Sequence, residues 1–281
     1  MSINLPVLNA PALLREHGLR ADKSLGQNFL HNPAALELIV QAADIKPDDL
    51  VLEIGPGLGS LTRYLALTAR AVVSVELDHD LIPVLTTVLT PYANARVIEG
   101  DILQVSIPSL LDTDDYLVVA NVPYYITSAI FRLFLAATPR PRRMVLTVQK
   151  EVAERICAKP GDMSLLALSV QVYGQPRITN IIPAEAFYPT PKVDSAVIRV
   201  DMDPEPQIPT QSLDTFFHLA KAGFSQKRKT LRNSISAGLR LKPVDAAQLL
   251  EKCGIDPMRR AETLSMNEWA IFTRQFLEYT A

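Results

Sequence analysis

From about Asp49 to Val200, short runs rich in β-branched residues alternate with stretches whose apolar positions recur every three to four residues. This alternation is the strongest constraint on the fold. Parallel strands need long crossover connections, and helices supply them, so the pattern predicts an α/β unit. Its sheet should be mostly parallel, with helices on both faces. Strands are expected at Leu50–Ile54, Val72–Glu76, Arg96–Ile98, Tyr116–Ala120 and Met144–Val148, with Leu165–Tyr173 and Ser195–Val200 as a closing pair. Helices are expected through Ser60–Ala69, Leu81–Leu89, Ser128–Ala137 and Lys150–Cys157. Pro83 falls in the first turn of its helix, where its missing N–H costs nothing.

The stretch Asp201–Thr210 (DMDPEPQIPT) is rich in proline and acid and reads as a linker. Beyond it the pattern is helical. Ser212 or Asp214 can cap a helix carrying Phe216, Phe217, Ala220 and Phe224 on one face, and further helices are expected at Pro243–Lys252 and Asn267–Tyr279. The chain therefore divides into a catalytic-type α/β domain over 1–202 and a small all-helical domain over 203–281.

Net charge is −2, so any nucleic-acid surface must be local rather than global. Cys157 and Cys253 sit in no metal-type spacing; neither a disulfide framework nor a metal site is expected, and a reducing, cytoplasmic setting is the natural one. No apolar run approaches the roughly 18 residues of a membrane span, so no membrane partner is expected. His17, His31, His79 and His218 have no catalytic partner in sequence and read as surface or local packing residues.

The first strand runs into Glu53-Ile54-Gly55-Pro56-Gly57-Leu58-Gly59. Glycines there let the backbone turn tightly and approach a ligand, at the carboxyl end of a strand where α/β folds bind theirs. The spacing is G-x-G-x-G, not the G-x-G-x-x-G of dinucleotide folds. A pyrophosphate requires a helix N-terminus. S-adenosylmethionine has no phosphate and needs acidic and amide groups instead. Such groups close the next three strands. Glu76 can accept from ribose hydroxyls, Asp101 from an adenine amino group, and Asn121 ends the fourth strand.

With those residues in place, the chain resembles the ribosomal RNA adenine dimethyltransferases, in particular the small-subunit dimethyladenosine transferases. The resemblance spans nearly the whole chain: KSLGQNFL at 23–30, EIGPGLG at 53–59, VELD at 75–78, GDIL at 100–103, NVPYYITS at 121–128, QKEVAERI at 149–156, AFYPTPKVDSAV at 186–197 and FSQKRKTLRNS at 224–234. It implies a class I, Rossmann-like methyltransferase fold with S-adenosylmethionine as methyl donor. The implied target is a pair of adjacent adenines in the 3′-terminal hairpin loop of 16S ribosomal RNA, each methylated twice at N6. Cofactor contacts would fall on Asn28, Leu30, Gly55, Glu76, Asp101 and Asn121. One departure is at Asp162–Ala167, where the family usually carries a basic residue ahead of a strand; RNA contacts there are in question.

The resemblance also explains LVVANVPYY at 117–125, a buried-looking strand that ends in an amide, a proline and two phenols. Adenine N6 is a poor nucleophile because its lone pair is delocalised. Acceptors aimed at the amino hydrogens favour the pyramidal geometry needed for transfer. Asn121 offers a side-chain oxygen and Val122 a backbone carbonyl, while Pro123, with fixed φ and no N–H, holds the corner. Tyr124 can stack on an extruded adenine, and Phe187 matches the family position on the base's other side.

Between Thr215 and Val244 the chain has no acid but carries Lys221, Lys227, Arg228, Lys229, Arg232, Arg240 and Lys242, an expected phosphate-binding face. Arg140, Arg142 and Arg143 form a second basic cluster, expected to add salt-dependent affinity. A monomer acting on an assembled or partly assembled small subunit is expected. The competing readings are a non-catalytic ribosome-assembly factor, a large-subunit rRNA methylase, and a nicotinamide dehydrogenase, the last disfavoured by its glycine spacing.

Overall fold

The computed structural model describes residues 5–280 and separates into two compact units: residues up to Ala153 together with Arg177–Met202, and Glu154–Pro176 together with Asp203 onward. The first unit begins with α1 (Ala10–Glu16), β1 (Phe29–Leu30) and α2 (Pro33–Ala43). Asn9 and Asn32 cap the two helices: their side-chain oxygens accept from Ala12 N and Ala35 N, each ahead of a proline in the first turn. The alternating region follows as β2 (Leu50–Ile54), α3 (Ser60–Ala66), β3 (Ala71–Glu76), α4 (Ile82–Leu89), β4 (Ala95–Glu99), α5 (Ile107–Leu110), β5 (Leu117–Asn121), α6 (Thr127–Leu135) and β6 (Arg143–Gln149).

Next come α7 (Lys150–Ile156), α8 (Leu165–Gln171), β7 (Gly174–Ile182), β8 (Phe187–Tyr188) and β9 (Ser195–Met202). The main sheet has the order β4-β3-β2-β5-β6-β9-β7, and β1 pairs with β8 in a separate antiparallel ladder. Strands β4, β3, β2, β5 and β6 are parallel, and β9 runs antiparallel to β6.

Val51, Val72, Leu117, Val119, Val145 and Val197 line one face of the sheet and pack under Leu36, Ile39, Val40, Tyr64 and Leu65 of α2 and α3. The alternate residues Leu52, Val73, Val118, Ala120 and Leu146 are also 0–2% exposed, so both faces are covered. Strand order reverses between β2 and β5. In an open α/β sheet that switch point leaves a crevice at the strands' carboxyl ends.

The stretch Leu165–Tyr173 is not a strand. Ser164 accepts from Ala167 N at 3.1 Å and caps α8, which buries Ala167, Leu168 and Val170. A short apolar run of this kind fits a buried strand or a buried helix equally, and the Ser164 cap is the local feature that favours the helix. Met163, Ala167 and Leu168 join the core of the second unit, with Phe216, Leu219, Trp269 and Phe272. The chain therefore crosses between units more than once, rather than only near residue 202. That second unit also holds α9 (Leu213–Phe224), α10 (Leu231–Leu239), α11 (Pro243–Lys252) and α12 (Met266–Thr280). No described helix is long and apolar enough to cross a membrane.

Candidate active site

The crevice is a cavity with about 1020 Å³ of empty space, part of it open to solvent. Its walls come from the segment 25–30, the glycine loop after β2, the ends of β3 and β5, the turn after β4, and Phe187. It therefore gathers Asn28, Leu30, Gly55, Glu76, Asp101, Asn121, Val122, Pro123, Tyr124 and Phe187 into one space.

The glycine loop is shaped by specific approaches. Gly55 has φ +61°, and a Cβ placed there would meet nothing within 4 Å, so the backbone faces open space. Gly57, at φ +59°, lies under the ring of Phe29; a Cβ would come within 3.0 Å of it. Gly57 N donates to Glu76 Oε2 at 2.9 Å, and Asp78 N donates to Glu76 Oε1 at 2.9 Å. Two backbone amides thus aim the Glu76 carboxyl at the cavity's edge. Burial pushes its pKa up.

Sequence reasoning passed over Glu53 as a site residue. It is 1% exposed, yet borders the cavity. Its Oε2 accepts from Thr62 Oγ1 and Ser74 Oγ, each at 2.7 Å. Burial raises its pKa to about 7, against the pull of those two hydroxyls. A carboxyl inside an otherwise apolar strand, two residues ahead of the glycines, is the signal in the sequence.

Asn121, at the end of β5, donates from Nδ2 to the carbonyl of Asn28 at 3.0 Å, and Asn28 Nδ2 in turn donates to Gly26 O at 3.0 Å. That bond engages one of the two Nδ2 hydrogens, and Asn121 Oδ1 can accept from a ligand. Val122 N donates to Thr147 O at 3.2 Å, which ties the corner to β6. The Tyr124 hydroxyl is 2.8 Å from Ser195 Oγ, and burial raises the phenol's pKa, so it stays neutral. Phe187 is 2% exposed; it packs in the core as well as bordering the cavity. Asp101 accepts from Leu103 N at 2.9 Å and from Gln104 Nε2 at 2.9 Å, which holds the turn after β4.

The described groups suit S-adenosylmethionine: open backbone at Gly55, carboxyls at Glu76 and Asp101, and an amide at Asn121. The profile of the ribosomal RNA adenine dimethylase family matches residues 18–275. The chain belongs to that family. It is 47% identical over 275 residues to the ribosomal RNA small subunit methyltransferase A of Dehalococcoides mccartyi strain CBDB1, covering 95% of this chain and 94% of that protein. Its counterpart in Alkaliphilus metalliredigens is 42% identical over 271 residues, covering 94% of each.

Among solved structures, a dimethyladenosine transferase from Plasmodium falciparum superposes with a TM-score of 0.75 at 27% identity, covering 90% of this chain and 98% of that one. The 23S rRNA methyltransferase ErmE superposes at 0.72 with 28% identity, covering 88% and 99%. The fold is thus the Rossmann-like methyltransferase fold, and family membership makes this chain an S-adenosylmethionine-dependent rRNA adenine dimethyltransferase.

The basic residues divide. Lys221, Lys227, Arg228 and Lys229 are exposed at the end of α9 and in the loop after it, and form no ion pair among the described residues. Arg232 is half-buried and donates from Nε to Asn233 Oδ1 at 3.2 Å. The cluster after α6 behaves otherwise. Arg142 pairs with Asp49 at 2.6 Å and Asp115 at 3.1 Å, and Arg143 with Asp201 at 2.5 Å. Those two guanidinium groups are engaged within the protein, so two of the three arginines expected to form a phosphate-binding cluster there are ion-paired instead.

Proposed function

We propose that this enzyme dimethylates N6 of two adjacent adenines in the 3′-terminal hairpin loop of 16S rRNA, in a small subunit or its precursor. The observation that carries this reading is the Asn121 corner, held by Asn28 and facing the same cavity as the glycine loop. Gly55, Glu76, Asp101, Asn28 and Leu30 hold S-adenosylmethionine, which supplies a methyl group activated on a sulfonium.

The protein's task is then to present one nitrogen in line with that group. Asn121 Oδ1 and the Val122 carbonyl accept the amino hydrogens of the extruded adenine and favour a pyramidal N6. Tyr124 and Phe187 hold its ring between them, and stacking of this kind is worth about 1–3 kcal/mol per base. No titratable side chain is needed to remove a proton from N6 before transfer. Positioning and exclusion of water supply most of the rate. The exposed Lys221, Lys227, Arg228 and Lys229, with Arg232 beside them, bind phosphates and hold the substrate in register, while RNA shape selects the site.

The small subunit is favoured over the large one because the relatives at 42–47% identity carry the small-subunit name, while the 23S enzyme stands at 28%. The test is transfer from a tritiated donor to unmethylated small and large subunits, with the product nucleoside identified by mass. Dimethyladenosine in the small subunit alone is expected; label confined to the large subunit would overturn the substrate.

A further inference from the structure

The motif AFYPTPKVDSAV contains more than Phe187. Ser195 opens β9, is 0% exposed, and its Oγ lies 2.8 Å from the hydroxyl of Tyr124. Its neighbour Asp194 accepts from Ala184 N at 3.1 Å through Oδ1. One short 3-10 turn, Ala184–Ala186, separates that amide from Phe187. The dipeptide itself is anchored. Lys150 N donates to the carbonyl of Asp194 at 3.0 Å, and Ser195 sits opposite Gln149 in the β6–β9 ladder. Two consecutive residues on one strand end therefore hold both aromatic walls of the cavity, one by a hydroxyl and one by a carboxylate.

We propose that Asp194 and Ser195 are positioning residues that set the separation of Tyr124 and Phe187, and so the width of the slot that receives the target base. This rests on the reading that the two rings sandwich an adenine. Neither residue touches the base. A phenol is free to rotate about its ring axis and to tilt about χ1; a fixed acceptor or donor at its tip removes the tilt. Phe187 has no polar tip; core packing and the β1–β8 ladder seat its ring, and the backbone turn that Asp194 holds leads directly into it. The gap must match the thickness of a purine ring, and a misplacement of about 1 Å can cost up to about 100-fold in rate.

The test compares Ser195→Ala, Tyr124→Phe and their double variant, and Asp194→Ala with Asp194→Asn, in the full-length enzyme on unmethylated small subunits. Each first-named change should lower kcat by about tenfold while donor affinity, read by calorimetry with S-adenosylmethionine, stays within about twofold. The double variant should be no slower than either single one, because both delete the same bond. Asp194→Asn retains an acceptor oxygen and should recover most of the loss. Subunits carrying 2-aminopurine at the target position should show weaker stacking quench with Ser195→Ala.

Additive losses, equal loss of donor affinity, or failure of Asn to rescue would overturn the proposal. If Tyr124→Ala is inactive but Ser195→Ala is unimpaired, the slot reading stands and this inference fails. If Tyr124→Ala is itself fully active, the slot reading fails.

Discussion

The side-chain amide of Asn121 donates to the backbone carbonyl of Asn28 at 3.0 Å, joining residues 93 positions apart in the chain. This bond ties the N-terminal segment to the corner at the end of β5 and fixes where the Asn121 amide nitrogen points. Asn121→Ala should lower methyl transfer by at least about 100-fold while leaving small-subunit binding within about threefold, as expected when an interaction realised in the transition state is removed. Single-turnover transfer and filter binding measure the two quantities. Normal turnover would refute the acceptor role.

Phosphate contacts should be separable from the chemistry. Replacing Lys227, Arg228 and Lys229 with alanine removes three exposed cations that have no ion-pair partner among the described residues. Subunit binding should weaken, and the slope of log affinity against log salt should become shallower by about two to three. A salt titration with the same slope as the parent enzyme would contradict the assignment.

Glu53 predicts a pH effect on stability. Its pKa is raised from an ordinary 4.5 to about 7, because burial disfavours the charged form. The group therefore favours folding below about pH 4.5, and its contribution is lost as pH rises toward 7, at up to about 1.4 kcal/mol per pH unit. Chemical denaturation of the parent and of Glu53→Gln across that window should show a steeper fall in the parent. Superimposable profiles would mean the carboxyl does not titrate there.

Two glycines of one loop should differ in cost. Both Gly55 and Gly57 have positive φ, but only at Gly57 would a Cβ meet a neighbour, at 3.0 Å from the Phe29 ring. Gly55→Ala should cost about 1–2 kcal/mol from backbone strain alone. Gly57→Ala should cost more and displace Phe29, whose strand pairs with β8 beside Phe187. Equal melting temperatures for the two variants would show that Phe29 yields freely.

Much of this site is legible in local pattern. The strand ends at Glu76, Asp101 and Asn121 follow from the strand–helix alternation, since each strand's carboxyl end meets the same crevice. The caps at Asn9 and Asn32 and the cap at Ser164 are equally local, yet the first two belong to helices not expected from periodicity and the third to a helix expected as a strand. There the apolar content of LLALSVQVY obscured the cap, because short apolar runs do not distinguish a buried helix from a buried strand.

The pairing of charges is not local. Arg142 and Arg143 look like free cations in sequence; Asp49, Asp115 and Asp201 reach them only through the sheet order.

By itself the sequence determined the α/β class, the glycine loop, the acidic strand ends and the Asn-Val-Pro-Tyr corner. Each depends on residues within one turn or one strand of each other. Tertiary structure alone decided that Asn28 meets Asn121, that Ser195 meets Tyr124, and that Glu53 is buried deeply enough to raise its pKa to about 7. Those outcomes depend on strand order and on the exclusion of water, which arise only when distant segments pack together.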